Sequence, residues 1–305
     1  MEIKFWGVRG SIPCPGPHTV KYGGNTSCIE LRFNDLKRII IIDAGSGIRE
    51  LGSYLMTHEF YQKPITAEIF LTHTHWDHIH GFPFFAPIYL QDTKCKIYGP
   101  ATFDDSTLED AMAWQLAYRY FPIRLGELAS EIEYIELKED RFDLGDGITL
   151  TTKFLNHPVL CLGYRFEYGG KALCTAYDTE LYKNIFCAEP DNPLHNEVMA
   201  EEGKRTAREG NQQLQEFYRG ADLLIHDAQY SQDEYKSSKT GWGHTSVEYA
   251  IAEGKKANVK RLALFHHEPT RTDEQIDAFT RKYCHPDNTG HTQVFFAREG
   301  IRVQI

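Results

Sequence analysis

Three imidazoles and a carboxylate crowd into His73-Thr74-His75-Trp76-Asp77-His78, directly after the apolar run Glu68 to Leu71. That cluster constrains the fold, because chelating groups at the end of a buried strand are costly unless something compensates them. In an extended segment His73 and His75 project to one side, since side chains alternate with period two, and the following turn swings Asp77 and His78 toward a second position. One cation per pair is the natural reading. Imidazole and carboxylate suit a borderline ion such as zinc first, and manganese or iron also accept them.

Other short apolar runs likewise end on polar residues. Ile39 to Ile42 precede Asp43, and Ile148 to Leu155 precede Asn156-His157. A hairpin is expected from Tyr164 to Tyr168, the Gly169-Gly170 turn and Lys171 to Ala176, leading to Asp178. Leu223 to Ile225 precede His226-Asp227, and Arg261 to Phe265 precede His266-His267. Helices are expected over Asp105 to Tyr118 and Gly210 to Arg219, and in segments opening with Thr245-x-x-Glu248 and Thr272-x-x-Gln275. Strands and helices interleave, so the expected class is α/β, with mixed sheets covered by helices and functional residues just beyond strand ends. Two ions need roughly three protein ligands each plus a bridge, and His157, Asp178 and His266 or His267 stand in suitable places.

No repeat and no Pro, Gly or Ser-rich linker divides the 305 residues, so one domain spanning 1–305 is expected, with an inserted loop and helix region around 100–140. Apolar residues at 41% and charged residues at 25% are ordinary for globular chains. No apolar run has the length of a membrane span, and MEIKFWGVRG has no secretory pattern, so a cytoplasmic protein without a membrane partner is expected. The seven cysteines include no C-x-x-C pair, which argues against a disulfide framework or a cysteine zinc site. A net charge of −10 disfavours wrapping long nucleic acid, which basic side chains drive by releasing counterions.

The H-x-H-x-D-H segment followed by a His, an Asp and a His after later strands resembles the metallo-β-lactamase superfamily over nearly the whole chain. The stretch Gly243-His244-Thr245-Ser246, a helix, then Leu262-Ala263-Leu264-Phe265-His266 is similar to ribonuclease Z and its phosphodiesterase relatives. The resemblance implies an αββα sandwich of two mixed sheets flanked by helices. It implies that His73, His75 and His157 hold one ion, that Asp77, His78 and His266 hold the other, and that Asp178 bridges them. It also implies that His244 is a general acid, oriented by Asp227 where the related family carries Glu. His266 is favoured over His267 because it directly follows the strand and matches the family pattern.

Two divalent ions offset by Asp77 and Asp178 leave a cationic site that suits an anionic substrate. A hydroxide bridging the ions is the expected nucleophile, which Asp77 also orients. The openings Gly7-Val8-Arg9-Gly10-Ser11 and Gly23-Gly24-Asn25-Thr26-Ser27 make Arg9 and Asn25 candidate phosphate contacts, and Tyr120 and Phe121 in the inserted region are candidates to roof the site and stack a base. The expected substrate is a small phosphodiester, first a cyclic nucleotide. The alternatives are a ribonuclease Z-like endoribonuclease, a thioester hydrolase, and a metal-containing nucleotide sensor without turnover. Against the nuclease, the region corresponding to the arm with which such enzymes grip transfer RNA, Lys183 to Glu209, holds six acidic and four basic residues. A homodimer stays open.

Overall fold

All four isoleucines of Ile39–Ile42 are buried, with Ile40 and Ile42 in one apolar core and Ile39 and Ile41 in another. A strand apolar on both faces belongs in the middle of a layered structure. A computed structural model, describing residues 1–101, 106–187 and 189–305, shows those layers.

Strands β1 (Glu2–Gly7), β2 (Cys28–Arg32), β3 (Ile39–Ile42), β4 (Thr66–Phe70), β5 (Lys94–Pro100) and β6 (Glu131–Leu137) form the first sheet. Strands β7 (Arg141–Asp143), β8 (Thr149–Phe154), β9 (Leu162–Tyr168), β10 (Lys171–Ala176), β11 (Leu223–Asp227), β12 (Arg261–Phe265) and β13 (Gln293–Phe296) form the second. The chain then returns through β14 (Arg302–Gln304) to pair with β1. Pairing is antiparallel across β14-β1-β2-β3 and parallel across β3-β4-β5-β6. The second sheet repeats the scheme, antiparallel across β7-β8-β9-β10 and parallel across β10-β11-β12-β13.

Phe5, Leu31, Ile42 and Phe70 of the first sheet pack against Leu150, Phe166, Leu173 and Phe265 of the second. Each such side chain contributes roughly 1.5–3 kcal/mol when fully buried. The outer face of the first sheet is covered by Ile48 and Leu51 of helix Gly47–Tyr54 and by Leu108 and Met112 of helix Leu108–Gln115. The outer face of the second is covered by helices Glu197–Tyr218, Val247–Lys256 and Asp273–Tyr283. The architecture is the expected αββα sandwich.

Several expected elements differ at their edges. The helix expected from Gly210 begins at Glu197, and Gly203 and Gly210 lie inside it because the preceding strap leans on their bare faces. A Cβ there would approach Asn184 Oδ1 to 2.0 Å and the Tyr182 ring to 2.9 Å. The helix expected to open at Thr245 is capped one residue later, where the Ser246 side chain accepts from Tyr249 N, while Glu248 turns to Gln232 N and Tyr283. The Thr272/Gln275 capping box is present. Helix Leu108–Gln115 is capped by Thr107 and Asp110, and the expected start at Asp105 lies outside the described residues. All seven cysteines are free, and among the described residues no helix is long and apolar enough to cross a membrane.

Candidate metal centre

The parallel strands β3, β4, β10, β11 and β12 all deliver residues to the cluster from their carboxyl ends, the usual address of function in open α/β sheets. After β4 the chain stays extended through His73 and His75, then makes the single helical turn Trp76–Ile79, which lifts Asp77 and His78 to a separate position. Asp43, at the end of β3, ties this segment down. Its carboxylate accepts from Thr72 N at 2.7 Å and Thr72 Oγ1 at 3.0 Å, and lies 2.7 Å from His78 Nδ1. That contact turns His78 Nε2 toward the cluster.

Of the three groups of donor atoms that lie within 4.8 Å among the described residues, one joins Asp227 and His244 to His266, and the other two are His73, His75, His157 and Asp178, and Asp77, His78, Asp178 and His266. Asp178 belongs to both of the latter. Its Oδ2 lies 3.4 Å from His73 Nε2 and 3.8 Å from His157 Nε2, while its Oδ1 lies 3.3 Å from His78 Nε2 and 3.2 Å from His266 Nε2. Asp77 Oδ2 is 3.1 Å from His266 Nε2. His267 turns away, with its Nε2 on Ala297 O at 2.7 Å, so His266 alone of that pair joins the cluster.

These residues fit a pair of cations. His73 Nε2, His78 Nε2 and Asp178 Oδ1 are buried without a hydrogen-bond partner, yet His73 Nε2 lies 3.4 Å from Asp178 Oδ2 and His78 Nε2 3.3 Å from Asp178 Oδ1. Imidazole and carboxylate are the donors that zinc, manganese and iron accept. Burial pushes the His73 imidazole well below its usual range and His157 to about 4, so both hold a free nitrogen lone pair near neutrality. Burial works against the charged forms of Asp178 and Asp77 as well, but the surrounding histidines override it and keep both ionised.

Beside the cluster, His244 stacks on His266 with ring centroids 4.9 Å apart and an interplanar angle of 17°. Its Nδ1 meets Asp227 Oδ2 at 2.8 Å, so the aspartate reaches it despite its short side chain. Burial lowers the basicity of His244, but Asp227, Asp178 and Asp77 outweigh it and raise the group to about 9. The loop before His244 is held by Glu180, whose carboxylate accepts from Gly241 N at 2.9 Å, from Gly243 N at 3.0 Å and from Tyr235 Oη.

The two candidate side chains of the glycine-rich openings, Arg9 and Asn25, are engaged within the fold. Arg9 is fully buried, with Nε donating to Gly23 O at 2.8 Å and an η nitrogen to Arg271 O at 2.7 Å, which corrects its assignment as a phosphate contact. Asn25 is likewise engaged internally, donating to Glu299 and accepting from Ser46 Oγ. The loop serves the cluster through its backbone instead: Ser11 N donates to Asp77 Oδ2 at 2.7 Å, and Gly10 lies against the His266 ring. Tyr120 and Phe121 line a cavity of 1120 Å³ together with Thr74 and Trp76 of the histidine segment.

Sequence reasoning overlooks Asp43, Glu180 and the aromatic residues Trp76, Phe84 and Trp114 of that cavity. The signal for Asp43 is present in the sequence, since it ends an apolar strand as His73 and Asp227 do.

Two packed mixed sheets flanked by helices, with a shared histidine and aspartate cluster at the strand ends, define a metal-dependent hydrolase of the metallo-β-lactamase fold. Residues 38–189 match the family model of the beta-lactamase superfamily domain. It is 28% identical over 299 residues to Ribonuclease Z of Lactococcus lactis subsp. lactis (strain IL1403), covering 87% of this chain and 88% of that one. Its fold is similar to the metallo-beta-lactamase fold protein YhfI from Bacillus subtilis, with TM-score 0.64, 18% identity, and 99% and 98% of the two chains covered. It is also similar to human tRNase Z, short form, with TM-score 0.61, 20% identity, and 100% and 99% covered.

Proposed function

We propose that this chain is a dinuclear metal-dependent phosphodiesterase acting on a small phosphodiester, with cyclic nucleotides first among its substrates. The supporting observation is the two-sided aspartate, since Asp178 turns one oxygen to His73 and His157 and the other to His78 and His266. In this assignment His73, His75 and His157 hold one ion, Asp77, His78 and His266 the second, and Asp178 both. Zinc is the first choice of metal, with manganese and iron as the others. When bound, two divalent ions lower the pKa of water and stabilise charge on phosphoryl oxygens.

The chain's own residues do the rest. Asp227 fixes His244 through Nδ1, leaving Nε2 to give its proton to the departing alkoxide. Ser11 N and the Asp43–His78 contact hold Asp77 and His78 in place before substrate arrives, and such outer partners orient ligands.

A second reading, an endoribonuclease, is supported by the likeness to Ribonuclease Z. Against it, Lys183 to Glu209 holds six acidic and four basic residues, and the chain offers no net positive charge for a polynucleotide.

The test is hydrolysis of bis(p-nitrophenyl) phosphate by protein loaded separately with zinc and manganese, with a chelated sample and Asp77→Ala as controls. Turnover lost in both controls is expected, followed by faster hydrolysis of cyclic nucleotides than of a transfer RNA precursor. Two bound metals with no turnover of any phosphodiester would sink the proposal and bring thioesters or a sensing role forward.

A further inference from the structure

Thr72 stands one residue before His73 and is fully buried. Its backbone is held from both sheets. Thr72 N donates to Asp43 Oδ1 at 2.7 Å, just beyond β3 of the first sheet, and Thr72 O accepts from Leu162 N at 2.8 Å, at the start of β9 of the second. With both backbone groups pinned the direction of Cβ is set, and a β-branched side chain has little freedom left at χ1. The hydroxyl therefore occupies a defined place.

That place lies between ligands assigned to different ions. Thr72 Oγ1 is 3.1 Å from His73 Nδ1 and 3.4 Å from His78 Nδ1, and it donates to Asp43 Oδ2 at 3.0 Å. A hydroxyl has one proton to give and two lone pairs, so with its proton on the carboxylate Thr72 meets the imidazoles as an acceptor. His78 Nδ1 already has the stronger acceptor, Asp43 Oδ2 at 2.7 Å. His73 Nδ1 has no carboxylate beside it. Its other neighbour is Cys161 Sγ at 3.7 Å, and a thiol sulfur accepts only weakly. With Nδ1 turned to Thr72, His73 Nε2 faces Asp178 Oδ2 at 3.4 Å.

We infer that Thr72 is the positioning residue of the first ion. Its hydroxyl accepts the Nδ1 proton of His73, which fixes the tautomer of the ring and aims Nε2 into the donor set, as Asp43 does for His78 at the second ion. Two side chains in mutual contact thus divide the work, the hydroxyl serving one ion and the carboxylate the other. The inference rests on the two-ion assignment and adds which outer residue governs which ion.

The experiment measures the two stepwise zinc affinities, by competition with a chromogenic chelator, in the wild type, Thr72→Val, Thr72→Ser and the double variant Thr72→Val with Asp43→Asn. Valine keeps the branched shape and removes the hydroxyl, whereas serine keeps the hydroxyl. Outer partners of this kind contribute roughly 10- to 100-fold in metal affinity. Thr72→Val is expected to weaken one step by that order, Thr72→Ser to bind close to the wild type, and the double variant to be weakened at both steps. A double variant with one weak and one unchanged step would place Thr72 on the same ion as Asp43 and overturn the inference. Equal losses in the valine and serine variants would do the same, leaving Thr72 a packing role. Should the valine variant fail to fold, nitrogen NMR spectra of the histidines in the zinc-loaded wild type decide: a His73 proton on Nδ1, slow to exchange, is expected, and one on Nε2 overturns the inference. A wild type that takes up fewer than two ions would remove the two-ion assignment itself, an outcome distinct from loss at a single step in the variants.

Discussion

A Cβ on residue 10 would lie 2.4 Å from Cε1 of the His266 imidazole, so glycine at that position is what lets the ring stand beside Asp77 and Asp178. His266 itself adopts a φ of 60°, a conformation that residues other than glycine rarely hold. A strained side chain pressed against a bare backbone has no room to yield. In Gly10→Ala the imidazole must swing out of the second donor set. Metal content by mass spectrometry is expected to fall from two ions toward one per chain, with hydrolysis down about 100-fold, as for other displacements near 1 Å. Two retained ions with an undiminished rate would show that the loop adjusts instead.

The Asp43–His78 contact leads to a second expectation. His78 Nδ1 has the Asp43 carboxylate at 2.7 Å, and burial of both leaves no water to replace it. Asp43→Asn keeps the volume but removes the charge that fixes the ring. Outer partners of this kind contribute roughly 10- to 100-fold in metal affinity or activity. Competition with a chromogenic chelator should show weakening of that order at one site, with the other little changed. Equal affinity at both sites in variant and wild type would assign Asp43 to packing alone.

Much of this arrangement is legible in the sequence, because apolar runs ending in His or Asp mark strands whose ends converge, and a parallel sheet brings those ends to one side. The Ile39–Ile42 run reads as a fully buried strand for the same reason. What escapes a linear reading depends on close approach in three dimensions. Arg9 looks like a phosphate ligand in a glycine-rich loop, and only the fold shows it engaged by the carbonyls of Gly23 and Arg271. Gly210 looks like a helix start until Tyr182 is seen lying on it. Asp43 carries the strand-end signal but its partner lies 35 residues away, and Glu180 acts through a partner 61 residues away with no local pattern to mark it.

Stability against acid should depend on Asp222, at the opposite end of the sheet from the cluster. Burial pushes its carboxyl up, but hydrogen bonds from Lys260 at 2.7 Å, Ala172 N at 2.9 Å and Lys171 at 3.3 Å outweigh this and hold it below the usual range. A group depressed in the folded state contributes stability that is fully present above its unfolded pKa, about 3.9, and is lost as pH falls through the folded value. Asp222→Asn is therefore expected to lower the melting temperature by a constant amount between pH 7 and pH 5. The gap should narrow below about pH 4. A gap that stays constant into that acid range would mean the interaction is not one of charge.

Glu180 gives the last expectation, and it separates loop positioning from metal binding. The carboxylate gathers Gly241 N, Gly243 N and Tyr235 Oη, and the next residue along the chain is His244. Glu180 appears in none of the donor groups, so its effect on the cluster passes through the loop. Glu180→Ala leaves two backbone N–H groups in a partly buried loop without their acceptor, at a cost of about 1–3 kcal/mol for each such group. Released from this strut, His244 loses its fixed place over His266 and opposite Asp227. The expected outcome is two ions still bound, a lower kcat, and a KM for a small diester such as methyl p-nitrophenyl phosphate close to that of the wild type. A substrate with a better leaving group, which needs less protonation, should recover most of the lost rate. If the rate falls equally for good and poor leaving groups, or if an ion is lost, the strut supports the metal centre rather than the proton donor.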